Sequence, residues 1–305
     1  MIRLTALLAL AACSEDRPAP SAPVLPDGGG QEGGPDAAGP DAAASAFCDP
    51  ERSFGAPTRI GPPTAELERF ASISGNELSI AWVVPIDDAT ATVMYADRTS
   101  ASEAFGAPRT LIPAEGYFAL DRVALDHEGL RLAVVRADRH GFGVAVRASG
   151  AEPFGAPEPE EYSNLNPYQR EVEPRDSFVG DPVISADGLA FVYSEYGGDI
   201  QDTVRVSLRQ FPEDAWTSTE AFSVPELARE GELRRRPTGI STDLKTLFFW
   251  DEIAGAQRAA WRPTPLEPFD HFVDLGAFEG AQPNATCRRL YVALDGDLAV
   301  AEAAD

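Results

Sequence analysis

Five polar residues stand at the points where the sequence predicts that the first strand of a repeated unit begins. These residues are Arg69, Arg122, Asp181, Arg236 and Gln282. Strands that come together side by side would bring the five side chains to one candidate ligand face. Hydrolysis of a glycosidic bond needs two carboxyl groups that flank the bond, and only one of the five residues is a carboxylate. The pattern therefore favours ligand binding over glycoside hydrolysis.

A long connection over residues 160–177 is expected to lie at the same face. It carries Tyr162 and Tyr168 together with amide side chains. Aromatic rings and amides on a long loop suit a sugar or a peptide, and an ordinary elongated connection is the alternative. Both tyrosines are therefore included in the candidate ligand face.

Other reactive residue types lack the spacing that chemistry requires. His127, His140 and His271 fall in three different repeats, and no two of them have the spacing of metal ligands. The acidic loops lack the dense pattern of a calcium loop, and the chain contains no Gly-x-Ser-x-Gly elbow, phosphate loop or Cys-x-x-Cys pair. We therefore expect no catalytic residue, no metal and no cofactor, and we favour a protein that is not an enzyme.

The elements that would position these residues are visible as two recurring motifs. A Phe-Gly-Ala-Pro tetrapeptide starts at Phe54, Phe105 and Phe154, so its copies are about 50 residues apart. A turn motif lies between the copies and is fullest as Ile-Ser-Ala-Asp-Gly at residues 184–188. An Asp-Gly-type turn between apolar segments predicts a β-hairpin. A third strand follows each hairpin and the Phe-Gly-x-Pro segment supplies an outer strand, so each repeat has four strands.

Four strands in roughly 50 residues make one β-propeller blade. The pattern over about residues 50–305 resembles the WD40-like (PD40, TolB-type) β-propeller repeats of exported bacterial proteins. The expected fold is all-β: a five-bladed β-propeller at residues 48–305, closed by its N-terminal strand, after a signal peptide and a disordered linker. The blades are expected at about 66–111, 118–159, 178–222, 233–275, and 281–305 plus 52–60. A sixth blade would have to lie within residues 160–177, which lack strand character.

The two ends of the repeat region complement each other. The last repeat reaches Asp305 after its third strand, whereas the motif at Phe54 precedes any hairpin and has no blade of its own. The N-terminal strand should therefore complete the last blade and remove open sheet edges. Cys48 and Cys287 would then lie at the same end of that blade. We expect a disulfide that latches the ring, in an oxidising compartment; two unpaired thiols are the alternative.

The N-terminal residues have the pattern of an export signal. Arg3 precedes a short apolar run that ends in small residues before Cys13, as in a secretory signal peptide. Residues 10–13, Leu-Ala-Ala-Cys, resemble the lipobox of bacterial lipoproteins. The resemblance implies a signal peptide over residues 1–12 and acylation of Cys13; ordinary cleavage beside an incidental thiol is the alternative. Ser14, where an aspartate would resemble the inner-membrane retention signal, favours the outer membrane, on its periplasmic or surface side.

Residues 13–47 are rich in Pro, Gly, Ala and Asp and cannot bury a core. We expect them to form a disordered, lipid-anchored spacer. The formal net charge of −24 repels nucleic acid and anionic lipid headgroups. We therefore expect no nucleic-acid partner, and membrane contact only through the lipid anchor.

Together these features predict a cell-envelope lipoprotein whose propeller is a non-catalytic binding or scaffold module for a protein, a peptide or a glycan. TolB-type relatives act as periplasmic interaction platforms, which is all that the resemblance implies. Two alternatives stay open. One is a hydrolase that uses the propeller funnel on extracellular or periplasmic polysaccharide, and the other is a degenerate family member with a purely structural role.

Overall fold

The part of the chain that the structure describes contains twenty β-strands and no helix. The strands are short, and most consist largely of apolar residues whose side chains point alternately to the two faces of a sheet. The computed structural model describes residues 48–49, 52–60, 69–86, 91–111, 122–136, 141–159, 178–197, 200–211, 214, 216, 218–222, 235–265 and 267–304. The strands are β1 (Thr58–Arg59), β2 (Arg69–Ile73), β3 (Ser79–Pro85), β4 (Ala91–Asp97), β5 (Arg109–Thr110), β6 (Val123–Leu125), β7 (Arg131–Val135), β8 (Phe142–Val146), β9 (Glu158–Pro159), β10 (Phe178–Ile184), β11 (Ala190–Gly197), β12 (Ile200–Leu208), β13 (Ser218–Phe222), β14 (Arg235–Ile240), β15 (Thr246–Asp251), β16 (Ala256–Trp261), β17 (His271–Gly276), β18 (Glu279–Pro283), β19 (Arg289–Leu294) and β20 (Asp297–Glu302).

The strands form five antiparallel four-stranded sheets, which are the blades of a five-bladed β-propeller. Blades 1 to 4 run outward as β2-β3-β4-β5, β6-β7-β8-β9, β10-β11-β12-β13 and β14-β15-β16-β17. Blade 5 runs β18-β19-β20-β1, so its outer strand comes from the N-terminal side of the domain. Thr58 and Arg59 of β1 pair with Val300 and Ala299 of β20. The expected five-bladed propeller, closed by its N-terminal strand, is confirmed.

Five apolar clusters, one at each junction between neighbouring blades, explain why the sheets assemble into a ring. Successive side chains of a strand point to opposite faces, so one strand can contribute to two clusters. Phe248 of β15 packs with residues of blade 5, whereas Phe249 packs with residues of blade 3. The cluster between blades 5 and 1 contains Tyr291 and Leu298. Each blade is therefore covered by apolar side chains on both faces.

The hairpin turn between the first and second strands has the same hydrogen bond in every blade. The backbone N–H of the first turn residue donates to the carbonyl oxygen five residues later, at 2.9–3.0 Å. The five donor–acceptor pairs are Ser74–Ser79, Asp126–Arg131, Ser185–Ala190, Ser241–Thr246 and Asn284–Arg289. This bond gives a common point from which equivalent positions of the blades can be counted.

An arginine clamp fastens this turn to the outer segment in blades 1 to 4. The arginine follows the third strand, and its Nε donates to the carbonyl oxygen of a turn residue with positive φ at 2.6–2.9 Å. The guanidinium lies 4.2–4.4 Å from the centre of the aromatic ring that begins the outer segment. The clamps, as arginine, turn residue and ring, are Arg98 with Glu77 and Phe105, Arg147 with Gly129 and Phe154, Arg209 with Gly188 and Trp216, and Arg262 with Leu244 and Phe269.

Blade 5 replaces this clamp by a disulfide. Ala303 is the residue equivalent to the clamp arginine. Its backbone N–H donates to the Arg288 carbonyl oxygen, just as the backbone N–H of each clamp arginine donates to the carbonyl oxygen of the residue that follows the positive-φ turn residue. The turn residue with positive φ is Cys287. It forms a disulfide with Cys48, with 5.2 Å between the two Cα atoms, which is the pairing expected from the sequence. Phe54, the ring of this blade, packs against the same cluster. The disulfide thus holds the closing segment where the arginine is missing.

Glu77 joins blade 1 to blade 5 at the outer side of the same turns. Its carboxylate accepts hydrogen bonds from Tyr291 Oη, from Asn284 Nδ2 at 3.0 Å and from Arg289 Nη1 at 3.2 Å. Burial raises the pKa of Glu77, but these hydrogen bonds outweigh it and hold the pKa below its usual value of 4.5. Burial and the Glu77 carboxylate raise the pKa of Tyr291 to about 12. This network supplies polar contacts across the junction that closes the ring.

Candidate functional site

The inner strands are irregular at the end of the propeller where they begin, which we call the funnel end. Register shifts interrupt the inner strands of blades 1, 3, 4 and 5 there. Phe70, Asp181 and Gly280 have φ values of 53°, 52° and 76°. Counting back four residues from each turn donor gives five equivalent positions, which we call the bulge layer. They are Phe70, Arg122, Asp181, Pro237 and Gly280.

The five residues predicted to share one ligand face lie at three different levels. Arg122 and Asp181 belong to the bulge layer, Arg236 lies one residue before it, and Gln282 lies two residues after it. Arg69 begins β2 one residue before the layer; its side chain lies outside the described part, as do Tyr162 and Tyr168. Each bulge inserts one residue before the turn, and a count from the strand starts does not register it. The structure therefore brings together Arg122, Asp181 and Arg236 and separates Gln282 from them.

Arg122 crosses the propeller axis inside the bulge layer. Its side chain is buried, with the residue 2% exposed, and its Nη1 donates to the Pro237 carbonyl oxygen of blade 4 at 3.4 Å. The guanidinium lies 4.9 Å from the centre of the Phe70 ring. Gly280 makes room for it, because a Cβ there would lie 2.5 Å from Nη2. The pKa of Arg122 is lowered to about 9, chiefly by burial and also by nearby Arg236, while the carboxylates of Asp181 and Glu279 oppose the shift.

Asp181 supplies a buried carboxylate at the same level. It is 1% exposed, and its Oδ2 accepts a hydrogen bond of 2.6 Å from Ser194 Oγ. Its Oδ1 lies 3.8 Å from Arg236 Nη1, and Arg236 Nε lies 2.7 Å from Glu252 Oε1. The side chains of Arg236 and Glu252 are each 21% exposed, so this pair is more exposed than Asp181. Neither Ser194 nor Glu252 is among the residues predicted for the candidate ligand face.

Gln282 is engaged by the backbone of other blades. Its Oε1 accepts from the Ile73 N–H at 3.0 Å, and its Nε2 donates to the carbonyl oxygens of Ile73 at 3.2 Å and Ile184 at 3.4 Å. The side chain therefore ties blade 5 to blades 1 and 3 across the axis. This role is structural, because the amide has both its oxygen and its nitrogen in use.

Several carboxylates near the funnel end contact arginines. Besides the pairs of Arg236, Glu195 Oε2 lies 2.6 Å from Arg205 Nε, and Asp251 Oδ2 lies 3.2 Å from Arg258 Nη1. Among the described residues, no three His, Cys, Asp or Glu side chains are placed to hold a metal ion. This part of the funnel is thus lined by ion pairs.

The opposite end of the axis is closed by the hairpin turns of three blades. His127 Nδ1 lies 2.6 Å from the Ala186 carbonyl oxygen, which can only accept, so Nδ1 carries the proton. Asn76 N–H donates to the His127 carbonyl oxygen at 3.0 Å. A Cβ on Gly75 would lie 1.7 Å from the Ala186 oxygen. His271, by contrast, is exposed and stacks on Trp261 with 4.2 Å between ring centres; His140 lies outside the described residues.

Comparison with known proteins gives similarity of structure but not of sequence. No family model and no curated protein matches the chain. TolB from Acinetobacter baumannii is similar over 79% of this chain at 8% identity, with a TM-score of 0.41, and the chain spans only 44% of that protein. A putative TolB from Agrobacterium tumefaciens is 13% identical over 77% of this chain and 72% of that one, with a TM-score of 0.42.

A luciferin-regenerating enzyme is 11% identical over 78% of this chain and 73% of that chain, with a TM-score of 0.44. Similarities with such low sequence identities and TM-scores do not indicate an activity. The fold assignment rests on the sheet topology. Within the described ranges there is no helix that is long and apolar enough to cross a membrane.

Proposed function

We propose that this chain is an exported lipoprotein of the PD40/TolB type whose propeller is a non-catalytic module that binds a protein or peptide. The lipobox-like residues before Cys13 support acylation of that residue and attachment to the outer membrane, on its periplasmic or surface side. The spacer over residues 13–47 would hold the propeller clear of the lipid. In this arrangement the funnel end is the binding surface.

The observation that carries the proposal is the buried pair Arg122 and Asp181. Nε and Nη2 of Arg122 and Oδ1 of Asp181 have no hydrogen-bond partner in the described part of the structure. Buried polar atoms of native proteins nearly always have a partner, whether a protein group, ordered water or a ligand. Unsatisfied polar groups of opposite charge at one end of the propeller axis mark this end as the candidate binding surface.

Hydrolysis is disfavoured by the same geometry. A glycosidase needs one carboxyl group that donates a proton and a second carboxylate that attacks or activates water. In the described part of the funnel, Asp181, Glu195 and Glu252 each lie within 4 Å of an arginine nitrogen. Carboxylates that already contact a guanidinium are engaged in ion pairs, which suits electrostatic binding better than the acid and nucleophile roles of a hydrolase.

The rim of the funnel favours a protein or peptide over a glycan. Ile86 directly follows β3, and Ile253 lies between β15 and β16, both at the funnel end. These aliphatic side chains are 68% and 41% exposed. Apolar side chains at a rim gain free energy by contact with apolar side chains of a partner.

Selection from a random peptide library displayed on phage, with the full-length chain as bait, tests this proposal. Arg236→Glu is the funnel variant, and Arg288→Glu is its matched control, since Arg288 is exposed in the hairpin turn of blade 5. We expect Arg236→Glu to lower the enrichment of bound peptides at least tenfold and Arg288→Glu to leave it unchanged. Equal loss in both variants, binding to a glycan array without peptide binding, or release of sugars from a polysaccharide would contradict the proposal.

A further inference from the structure

The closing segment, residues 48–60, enters the propeller at the end of the axis formed by the hairpin turns, which we call the turn end. Cys48, its first described residue, is disulfide-bonded to Cys287 in the turn of blade 5. The Cys48 carbonyl oxygen also accepts a hydrogen bond of 2.7 Å from Thr246 Oγ1 at the turn of blade 4. The point at which the preceding chain leaves the propeller is therefore fixed between two neighbouring turns, opposite the funnel end.

From this point the closing segment runs along the outer edge of blade 5 toward the funnel end. Gly55 N–H donates to the Glu302 carbonyl oxygen at the end of β20 that lies at the turn end. Ile60 N–H donates to the Leu298 carbonyl oxygen near the start of β20, at the funnel end. The innermost strand β2 of blade 1 then begins at the funnel end, at Arg69. If the closing segment were detached, a tether on its N-terminal side would therefore start at the funnel end instead of the turn end.

We propose that the Cys48–Cys287 disulfide orients the anchored propeller, with the turn end toward the lipid surface and the funnel end away from it. The inference rests on the proposed function, because it requires acylation of Cys13. It also defines the partner more closely. The protein or peptide that binds the funnel end approaches from the side away from the anchoring membrane, and a partner embedded in that same membrane does not reach it.

The length of the spacer relative to the propeller favours this orientation. A disordered spacer of the length predicted for residues 13–47 has an r.m.s. span of about 30 Å. The six residues of β15 alone extend about 20 Å from the turn end to the funnel end. A propeller with its funnel end on the lipid would stretch the spacer around its own body, which reduces the number of spacer conformations. The net charge of −24 opposes adsorption on anionic lipid, so the attachment point determines the orientation.

The single lysine of the sequence allows the two ends to be labelled in turn. Lys245 lies in the turn of blade 4, and Ala254 is exposed at the funnel end of the same blade, between β15 and β16. An amine-reactive donor dye marks the turn end in the wild-type chain and the funnel end in Lys245→Arg/Ala254→Lys. Lys245→Arg alone gives the background from the N-terminal amine. Energy transfer is measured for the acylated chain in phosphatidylcholine vesicles that carry an acceptor dye on a lipid headgroup.

We expect transfer from the turn-end label to be at least twofold more efficient than transfer from the funnel-end label. Deletion of residues 20–39 should increase this ratio, because a shorter spacer restricts rotation of the propeller. In the Cys48→Ala/Cys287→Ala background the ratio should fall to one or below, since the closing segment detaches and the tether then starts at the funnel end. Circular dichroism verifies that this variant is folded at the temperature used. Arg262→Met is the matched control, because it weakens blade 4 without touching the closing segment and should keep the wild-type ratio.

Equal transfer from the two labels in the disulfide-bonded chain, or more efficient transfer from the funnel-end label, would overturn the inference and leave the proposed binding function standing. The same ratio in the cysteine-to-alanine background as in the disulfide-bonded chain would overturn it as well, because the disulfide would then not determine the orientation. A chain that is not acylated and does not stay on the vesicles would overturn the proposed anchoring together with the inference.

Discussion

Removal of the disulfide should destabilise the propeller strongly, because blade 5 has no clamp to replace it. The double variant Cys48→Ala/Cys287→Ala leaves the closing segment with a few hydrogen bonds. Gly55 N–H donates to the Glu302 carbonyl at 2.8 Å, and Ile60 N–H donates to the Leu298 carbonyl at 3.0 Å. The pairing of β1 with β20 extends over only two residues. The N-terminal segment should therefore detach from blade 5 first.

The magnitude follows from the length of chain that the bond encloses. The two cysteines are 239 residues apart. In the chain-entropy model such a loop contributes about 5 kcal/mol to the free energy of unfolding, which is an upper figure. For a domain of this size, 1 kcal/mol shifts the melting temperature by about 2–4 °C. We therefore expect a fall of up to about 10–20 °C, measured by circular dichroism on the full-length chain.

Ala303→Arg provides the test of whether disulfide and clamp are equivalent. In the double cysteine-to-alanine background, the new guanidinium can reach the carbonyl oxygen of residue 287 and lie over the Phe54 ring. A charged hydrogen bond and a stacked cation together contribute about 2 kcal/mol, so about 4–8 °C should be regained. In the disulfide-bonded chain the same substitution should give no gain, since Cys48 occupies that space.

Ala303→Met is the control, because it adds apolar volume without hydrogen bonds or charge. Recovery by methionine equal to that by arginine would refute the equivalence. If Ala303→Arg stabilised the disulfide-bonded chain as much as it stabilised the double cysteine-to-alanine variant, the equivalence would also be refuted. The disulfide and the arginine clamp would then act at separate places.

Three further predictions concern single positions, each measured by denaturant unfolding. Arg262→Met removes the clamp of blade 4 and should lower the free energy of unfolding by about 2–4 kcal/mol. Gly75→Ala places a Cβ 1.7 Å from the Ala186 oxygen and should lower the free energy of unfolding by about 1–3 kcal/mol. Gly150→Ala is its control: no atom lies within 4 Å of the new Cβ, so the free energy of unfolding should change by less than about 0.5 kcal/mol. Because the pKa of Glu77 is lowered in the folded state, its stabilisation is full above about pH 4.5 and is lost as the pH falls through the folded pKa. Glu77→Gln should therefore cost about 1–3 kcal/mol at pH 7 and flatten the acid dependence below about pH 4.5.

Local turn chemistry made the fold predictable from the sequence. The Asp-Gly-type turn motif marks the hairpins, and the Phe-Gly-Ala-Pro segments mark the outer strands. The spare motif at Phe54 and the incomplete last repeat predict the closure of the ring. The clamps were missed, although each arginine precedes its aromatic ring by seven residues, at 98 and 105, 147 and 154, 209 and 216, and 262 and 269. That interval is a signal that a search for repeats could use.

The composition of the site was less predictable, because it depends on backbone bulges that leave no clear mark in the sequence. Counting from strand starts placed Arg236 and Gln282 at the level of Arg122. Counting back from the turn donors assigns Arg122 and Asp181 correctly to one layer, since the hydrogen-bonded turn is the fixed point of each blade. The contact of Asp181 with Ser194 depends on a neighbouring strand, and spacing along the chain does not determine it.

Buried arginines change how the net charge of −24 acts on a partner. Arg122, Arg147, Arg209 and Arg262 are each at most 7% exposed. Such cations interact mainly with nearby protein groups and offset the surface carboxylates little, because those carboxylates face water of high dielectric constant. The outer surface is therefore more acidic than composition alone indicates, whereas the funnel end holds arginines. A partner with a basic surface should therefore associate faster than a neutral one, and added salt should slow its association.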